Sequence, residues 1–144
     1  MTRFLLLLVF SFLTSCGSSY HADFRKSKNQ EPLKTSIEGA WKGTWKSEVN
    51  GHHGSLWCIV TENKKSPNLW DFRYRAGWGV LQFGDYLHPV PTQLDRKGNL
   101  PVDAQMTLPN NFGTYSVKGL LTPNEFNLRY QGRGDHGTMT LSRP

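Results

Sequence analysis

Trp70-Asp71-Phe72-Arg73-Tyr74-Arg75-Ala76 puts an apolar side chain at every second position and a charged one between each pair. A period of two is the pleat of a β-strand with one face packed and one in water; a helix would space its apolar residues three and four apart. The same period runs outward from this stretch. Upstream, Trp41, Gly43 and Trp45 alternate with Lys42, Thr44 and Lys46, and Cys58 shares its parity with Leu56 and Val60. Downstream, Tyr115 and Val117 alternate with Ser116 and Lys118, Phe126, Leu128 and Tyr130 with Asn127, Arg129 and Gln131, and Met139 and Leu141 with Thr138, Thr140 and Ser142. Turn chemistry separates the runs at Asn50-Gly51, Lys65-Ser66-Pro67-Asn68, Arg96-Lys97-Gly98-Asn99, Pro109-Asn110-Asn111, Thr122-Pro123-Asn124 and Arg133-Gly134-Asp135. The spacing predicts about eight strands if residues 79–95 form one strand bent near Pro89 and Pro91, and about nine if those prolines break it. Short strands with hairpin links and no crossovers predict an all-β domain, an antiparallel up-and-down barrel or a strongly curved sheet of about eight strands.

The N-terminal end carries an address. Arg3 precedes an unbroken apolar run over residues 4–10, which resumes at Phe12 and Leu13. About ten apolar residues span only half of a bilayer core as a helix, so the segment reads as an export signal and not as an anchor. It ends in Leu13-Thr14-Ser15-Cys16, which resembles the lipobox of bacterial lipoproteins, where the cysteine is acylated and becomes the new N-terminus. The resemblance implies a signal peptide over residues 1–15 and a lipidated Cys16 that ties the chain to the bilayer of a bacterial cell envelope. Several acyl chains give stable anchoring where one does not. Gly17 stands where an inner-membrane retention signal would often have Asp, which favours the outer membrane over the inner. Ordinary secretion, with cleavage near Ser15 or Gly17 and a free thiol, is the alternative.

After the lipidated cysteine, residues 16–35 hold few apolar side chains and many polar ones. That composition predicts a flexible tether. Residues 36–144 are rich in Trp, Tyr and Phe and form the one domain. The chain has a net charge of +6, but residues 36–144 carry twelve basic against nine acidic side chains, an excess of three. A modest, scattered charge on an exported domain excludes nucleic acid as a partner. Cys58 is the one cysteine of the domain, so no internal disulfide can form, and its alternation with Leu56 and Val60 predicts core packing.

Gly39-Ala40-Trp41 opening the first strand, with Arg143 closing the last, resembles the calycins, that is, the lipocalins and their relatives. The resemblance implies a structural clasp, in which Arg143 packs across the Trp41 indole at the closed end of a barrel. Gly43-Thr44-Trp45-Lys46-Ser47, Asn50-Gly51-His52-His53-Gly54, Leu56-Trp57-Cys58 and Asp135-His136-Gly137-Thr138 resemble a family of small lipocalin-like bacterial lipoproteins. That resemblance implies the fold and supplies no activity.

Two places could carry function. Trp70, Phe72, Tyr74, Trp78, Tyr115 and Tyr130 are candidates to line an apolar pocket, with tyrosine hydroxyls orienting a small apolar or amphipathic guest. The same side chains could instead fill the lumen and leave the barrel as a module for an envelope protein or cell-wall partner. A dry lumen of at least ~300 Å3 favours the first reading, and an exposed apolar patch beside a filled lumen favours the second. The second place is His52, His53, Asp135 and His136, whose two turns become neighbours in an eight-stranded closed meander. Imidazole and carboxylate suit zinc, though hydrogen-bonded turns without a metal explain the same residues. There is no Gly-x-Ser-x-Gly elbow, paired carboxylate or phosphate loop, so the expectation is a binding protein without a cofactor and not an enzyme.

Overall fold

The computed structural model describes residues 18–30, 36–108 and 111–144. The expected signal peptide and Cys16 lie outside these residues, as do residues 31–35 of the expected tether. A helix, α1 (Ser18–Asn29), is followed by β1 (Gly39–Ser47), β2 (His53–Glu62), β3 (Leu69–Trp78), β4 (Leu81–Pro91), β5 (Leu100–Leu108), β6 (Gly113–Leu121), β7 (Phe126–Gln131) and β8 (His136–Ser142). All strand pairs are antiparallel, and the sheet order is β4-β3-β2-β1-β8-β7-β6-β5. The pairing of β1 with β8, from Lys42↔Ser142 to Ser47↔Gly137, curls the meander into a nearly closed barrel whose two edges are β4 and β5.

Pro89 does not break β4 and Pro91 ends it, so the strand is shorter than the expected 79–95 and the count is eight. A proline offers no N–H to a ladder and is tolerated on an edge strand, where it also blunts the edge against further pairing. Side chains bridge the seam between β4 and β5. His88 Nε2 donates to the Gln105 carbonyl at 2.8 Å, and Thr92 Oγ1 donates to the Pro101 carbonyl. His88 is buried, and its Nδ1 has no hydrogen-bond partner.

That burial holds the His88 imidazole below the ordinary histidine value of 6.5, partly offset by the bond to Gln105. When the folded-state pKa is depressed, the unfolded chain takes up the proton first. The stabilisation is complete above the unfolded value and is lost as pH falls through the folded one. The melting temperature is therefore expected to fall as pH drops from neutral below about 6.5. His88→Gln, which keeps a donor for Gln105 but does not titrate, should flatten the profile between neutrality and the carboxylate range. An identical profile in the variant would remove His88 as the cause.

The expected tether is in part ordered helix. Tyr20 and Phe24, four residues apart, share one face of α1 and are buried against Ala40 and Ile59 on the outside of β1 and β2, with Trp57 beside them. Tyr20 Oη donates to the Arg73 carbonyl at 3.0 Å, and Arg73 pairs with Asp23 at 2.7 Å and Asp85 at 2.6 Å. Composition alone missed this because two well-spaced aromatics suffice to dock a short helix. β2 held the matching signal: Leu56-Trp57-Cys58-Ile59-Val60 is apolar on both parities, the mark of a strand covered on both faces. Among the described residues no helix is long and apolar enough to cross a membrane.

One end of the barrel is packed solid. Trp41 is fully buried there with Ile37, Leu100, Leu121 and Phe126, its ring 5.8 Å from Phe126. Trp41 Nε1 donates to the Ile37 carbonyl at 3.0 Å. The Arg143 guanidinium lies 3.9 Å from the indole centroid and donates to the carbonyls of Ser36 at 2.6 Å and Glu38 at 2.9 Å. Guanidinium stacking and donation to carbonyls act together here. Cys58 is wholly buried, and desolvation pushes its thiol pKa up, so it behaves as a small core side chain.

Candidate functional site

At the opposite end, where the turns β1–β2, β3–β4, β5–β6 and β7–β8 meet, the barrel interior opens into a cavity of about 170 Å3. Trp45, Leu56 and Ala76 line it from β1, β2 and β3, and Phe83 and Tyr86 from β4. Met106 and Leu108 of β5, with Tyr115, Tyr130 and Met139 of β6, β7 and β8, complete the wall, and Phe112 and Asp135 lie in the loops above. Tyr74 also lines it, 6.2 Å from Phe72 and 6.4 Å from Phe126 between ring centroids. That aromatic cluster joins the cavity to the packed end.

Of the candidate lining residues, Tyr74, Tyr115 and Tyr130 face the cavity. Trp70 and Phe72 do not line it. They are buried side chains of the packed core, nearer the closed end of β3. Trp78 is half exposed on the rim, its ring 5.3 Å from His52. The alternation along β3 correctly gives one inward face but says nothing of depth, and depth decides which inward residues fill and which line.

The tyrosines differ in chemistry. Tyr130 Oη donates to Asp135 Oδ2 at 3.1 Å. Burial first, and then the Asp135 carboxylate, push the Tyr130 pKa up. The Tyr74 hydroxyl is buried with no hydrogen-bond partner, and burial likewise raises its pKa. An orphaned buried hydroxyl costs about 1–3 kcal/mol, so a protein that keeps one holds an unused polar handle. Trp45 Nε1 donates to the Gly77 carbonyl at 3.0 Å, and a Cβ on Gly54 would overlap that same carbonyl oxygen, which accounts for glycine at position 54.

The two histidine-bearing turns are adjacent, as the meander requires. The Glu48 N–H donates to the His136 carbonyl at 2.8 Å. The imidazoles, however, point to different partners. His52 packs on Trp78, His53 Nδ1 lies 3.2 Å from the Gly51 carbonyl, and His136 Nε2 lies 3.8 Å from Glu48 Oε2. Asp135 is engaged by hydroxyls, Ser47 Oγ at 2.5 Å and Tyr130 Oη at 3.1 Å. Among the described residues no three His, Cys, Asp or Glu side chains converge to hold a metal ion. The clasp between the turns is therefore Ser47–Asp135–Tyr130 with the Glu48–Arg129 ion pair, whose hydrogen bonds hold the Glu48 carboxyl below its usual range. Ser47 is almost fully buried, yet a serine at the start of a turn gives no sequence signal of that role.

No protein-family model, curated protein or solved structure matches the chain.

Proposed function

We propose that this chain is an envelope lipoprotein of lipocalin-like type, held by acyl chains on Cys16, whose barrel receives the apolar end of a small amphipathic molecule. The observation that carries the reading is the contrast between the two ends: a solid plug around Trp41, and a cavity of about 170 Å3 open to the rim. At about 170 Å3 the cavity falls short of the ~300 Å3 that would by itself favour a carrier of drug-sized ligands, but a dry apolar cavity of roughly 150 Å3 accepts one benzene-sized ring. The guest is thus a single ring or a short acyl segment, with any larger polar part left at the mouth. The second reading, a module for an envelope protein or cell-wall partner, draws on the exposed apolar side chains of the rim.

Octanoate titrated into isotope-labelled protein is the test. Saturable shifts are expected at Tyr74, Tyr115, Met106 and Met139, which share the cavity wall. Ala76→Leu, which fills the cavity from β3, should weaken binding roughly tenfold or more, the worth of about two lost methylene contacts. Absence of saturable shifts, or equal affinity in the variant, would refute a guest in this cavity.

A further inference from the structure

We infer that the open end of the barrel is a membrane-docking face, so that the cavity opens toward the bilayer and draws its guest from it. Five side chains form the lip. Trp78 is 51%, Val80 98%, Leu81 62%, Phe83 40% and Phe112 58% exposed. Gly79, at φ +57°, takes the first place of the two-residue β3–β4 turn, where glycine is at ease, and Val80 holds the tip. A hairpin tip ordinarily carries a polar residue; an almost fully exposed valine there is apolar surface presented outward. Phe83 and Phe112 belong both to this lip and to the cavity wall, so apolar surface is continuous from the rim inward.

Charge at the open end is confined to one half of it: the β1–β2 and β7–β8 turns carry Glu48, Arg133 and Asp135, while the two hairpins that bear the lip carry none. Residues 76–84 and 104–117, which build the β3–β4 and β5–β6 hairpins beside the mouth, contain no charged residue. The loops at the packed end carry Lys64, Lys65, Asp95, Arg96, Lys97 and Glu125, and among the described residues Leu94 is the one large apolar side chain exposed in them. An uncharged apolar lip with a tryptophan suits the interfacial zone of a bilayer, and the charged loops suit water.

The chain's own N-terminal end selects a bilayer over other apolar partners. α1 runs along the outside of the barrel with its first turns toward the mouth: His21 Nε2 lies 2.7 Å from Oε1 of Gln82, the neighbour of Leu81. Its later turns lie toward the packed end, where Ser27 Oγ would be 4.0 Å from a Cβ on Gly39. Cys16 precedes Ser18 by two residues, a reach of at most about 7 Å. This orientation rests on the reading of Cys16 as the lipidated residue, which would place the acyl chains and the apolar lip at the same end of the molecule.

The test uses the full chain extracted from expressing cells and returned to vesicles of phosphatidylethanolamine and phosphatidylglycerol with brominated acyl chains. A fluorophore is placed on Val80→Cys at the lip or on Lys97→Cys at the packed end. Cys58 is buried, so the unsubstituted protein takes up label only if Cys16 is free, which reads the anchor separately. The expected result is roughly threefold stronger quenching at position 80 than at position 97, because a docked lip enters only ~5–10 Å into the headgroup boundary. Equal quenching at the two positions overturns the inference while leaving the anchor intact. If the unsubstituted protein is labelled, the anchor reading fails; the same two labels on Cys16→Ser protein mixed with vesicles then decide whether the lip binds a bilayer unaided, and absent quenching there overturns it. A Val80 label shielded in native envelopes yet unquenched by brominated lipid assigns the lip to a protein partner and also overturns it.

Discussion

Trp41→Ala should lower the unfolding free energy by about 3–5 kcal/mol, the usual cost of deleting a fully buried large aromatic. Trp41 is wholly buried at the packed end, and four kinds of contact converge on it: the Phe126 ring, the Ile37 carbonyl, the surrounding aliphatic side chains and the Arg143 guanidinium. Small domains carry only about 5–15 kcal/mol in total, so the variant would sit near the limit of folding. The midpoint in urea should move down by about 2 M, given a slope of roughly 1–3 kcal/mol/M. Arg143→Ala should cost less, because its carbonyl partners lie near the surface and water can replace the guanidinium. The double variant should be less damaging than the sum of the two, since the residues share one contact. A midpoint shift under about 0.5 M for Trp41→Ala would mean that the plug does not hold the barrel together.

Gly43→Ala is the second large effect, at about 3 kcal/mol, and its cause is overlap, not cavity formation. A Cβ at position 43 would overlap the Thr140 carbonyl oxygen and stand 2.7 Å from Leu141 Cα. Both are backbone atoms of β8, so no side-chain rotation relieves the clash and the β1–β8 ladder must open. Gly137 makes the reciprocal approach from β8, where a Cβ would overlap the Lys46 carbonyl oxygen. The barrel closes through that ladder, so amide exchange should accelerate from Gly43 to Ser47 and from Gly137 to Ser142 before it does elsewhere. Gly134→Ala is the control. Nothing lies within 4 Å of its Cβ position, and the substitution should change stability by less than about 0.5 kcal/mol. Equal effects at positions 43 and 134 would show that the closure tolerates a side chain.

These two sites also show what the sequence could reveal. Alternation of apolar and polar residues from Gly39 onward specified most of the strands, because they have one packed face; β2 is covered on both faces and apolar on both parities, and the turns between the runs pointed to a meander. The pairing of Trp41 with Arg143 was an expectation from the resemblance to the calycins and not from spacing; the guanidinium lies over the indole. Gly43, Gly54 and Gly137 were not legible as special positions, because the reason for them is a close backbone approach that only the register reveals. The candidate cavity was half legible. Parity put Tyr74, Tyr115 and Tyr130 on the inner face, yet parity also put Trp70 and Phe72 there, and only the plug around Trp41 separates filler from lining. Phe112 sits in a turn and carried no signal, whereas Met106 belongs to a strict alternation of Leu100, Val102, Ala104, Met106 and Leu108 with Pro101, Asp103, Gln105 and Thr107 that was missed. Adjacent histidine turns followed from topology, but side-chain direction did not, and the hydroxyl–carboxylate clasp of Ser47, Asp135 and Tyr130 replaced the imagined imidazole cluster. The helix was missed because its docking depends on two aromatic side chains one turn apart and not on overall composition.

The most direct measurement is the mass of the protein, purified gently from the cells that express it and recorded natively and after denaturation. An occupied cavity gives an additional native mass of small-molecule size that disappears on denaturation and is reduced in Ala76→Leu. Identical native and denatured masses in both proteins would contradict the carrier reading and leave the barrel without a guest.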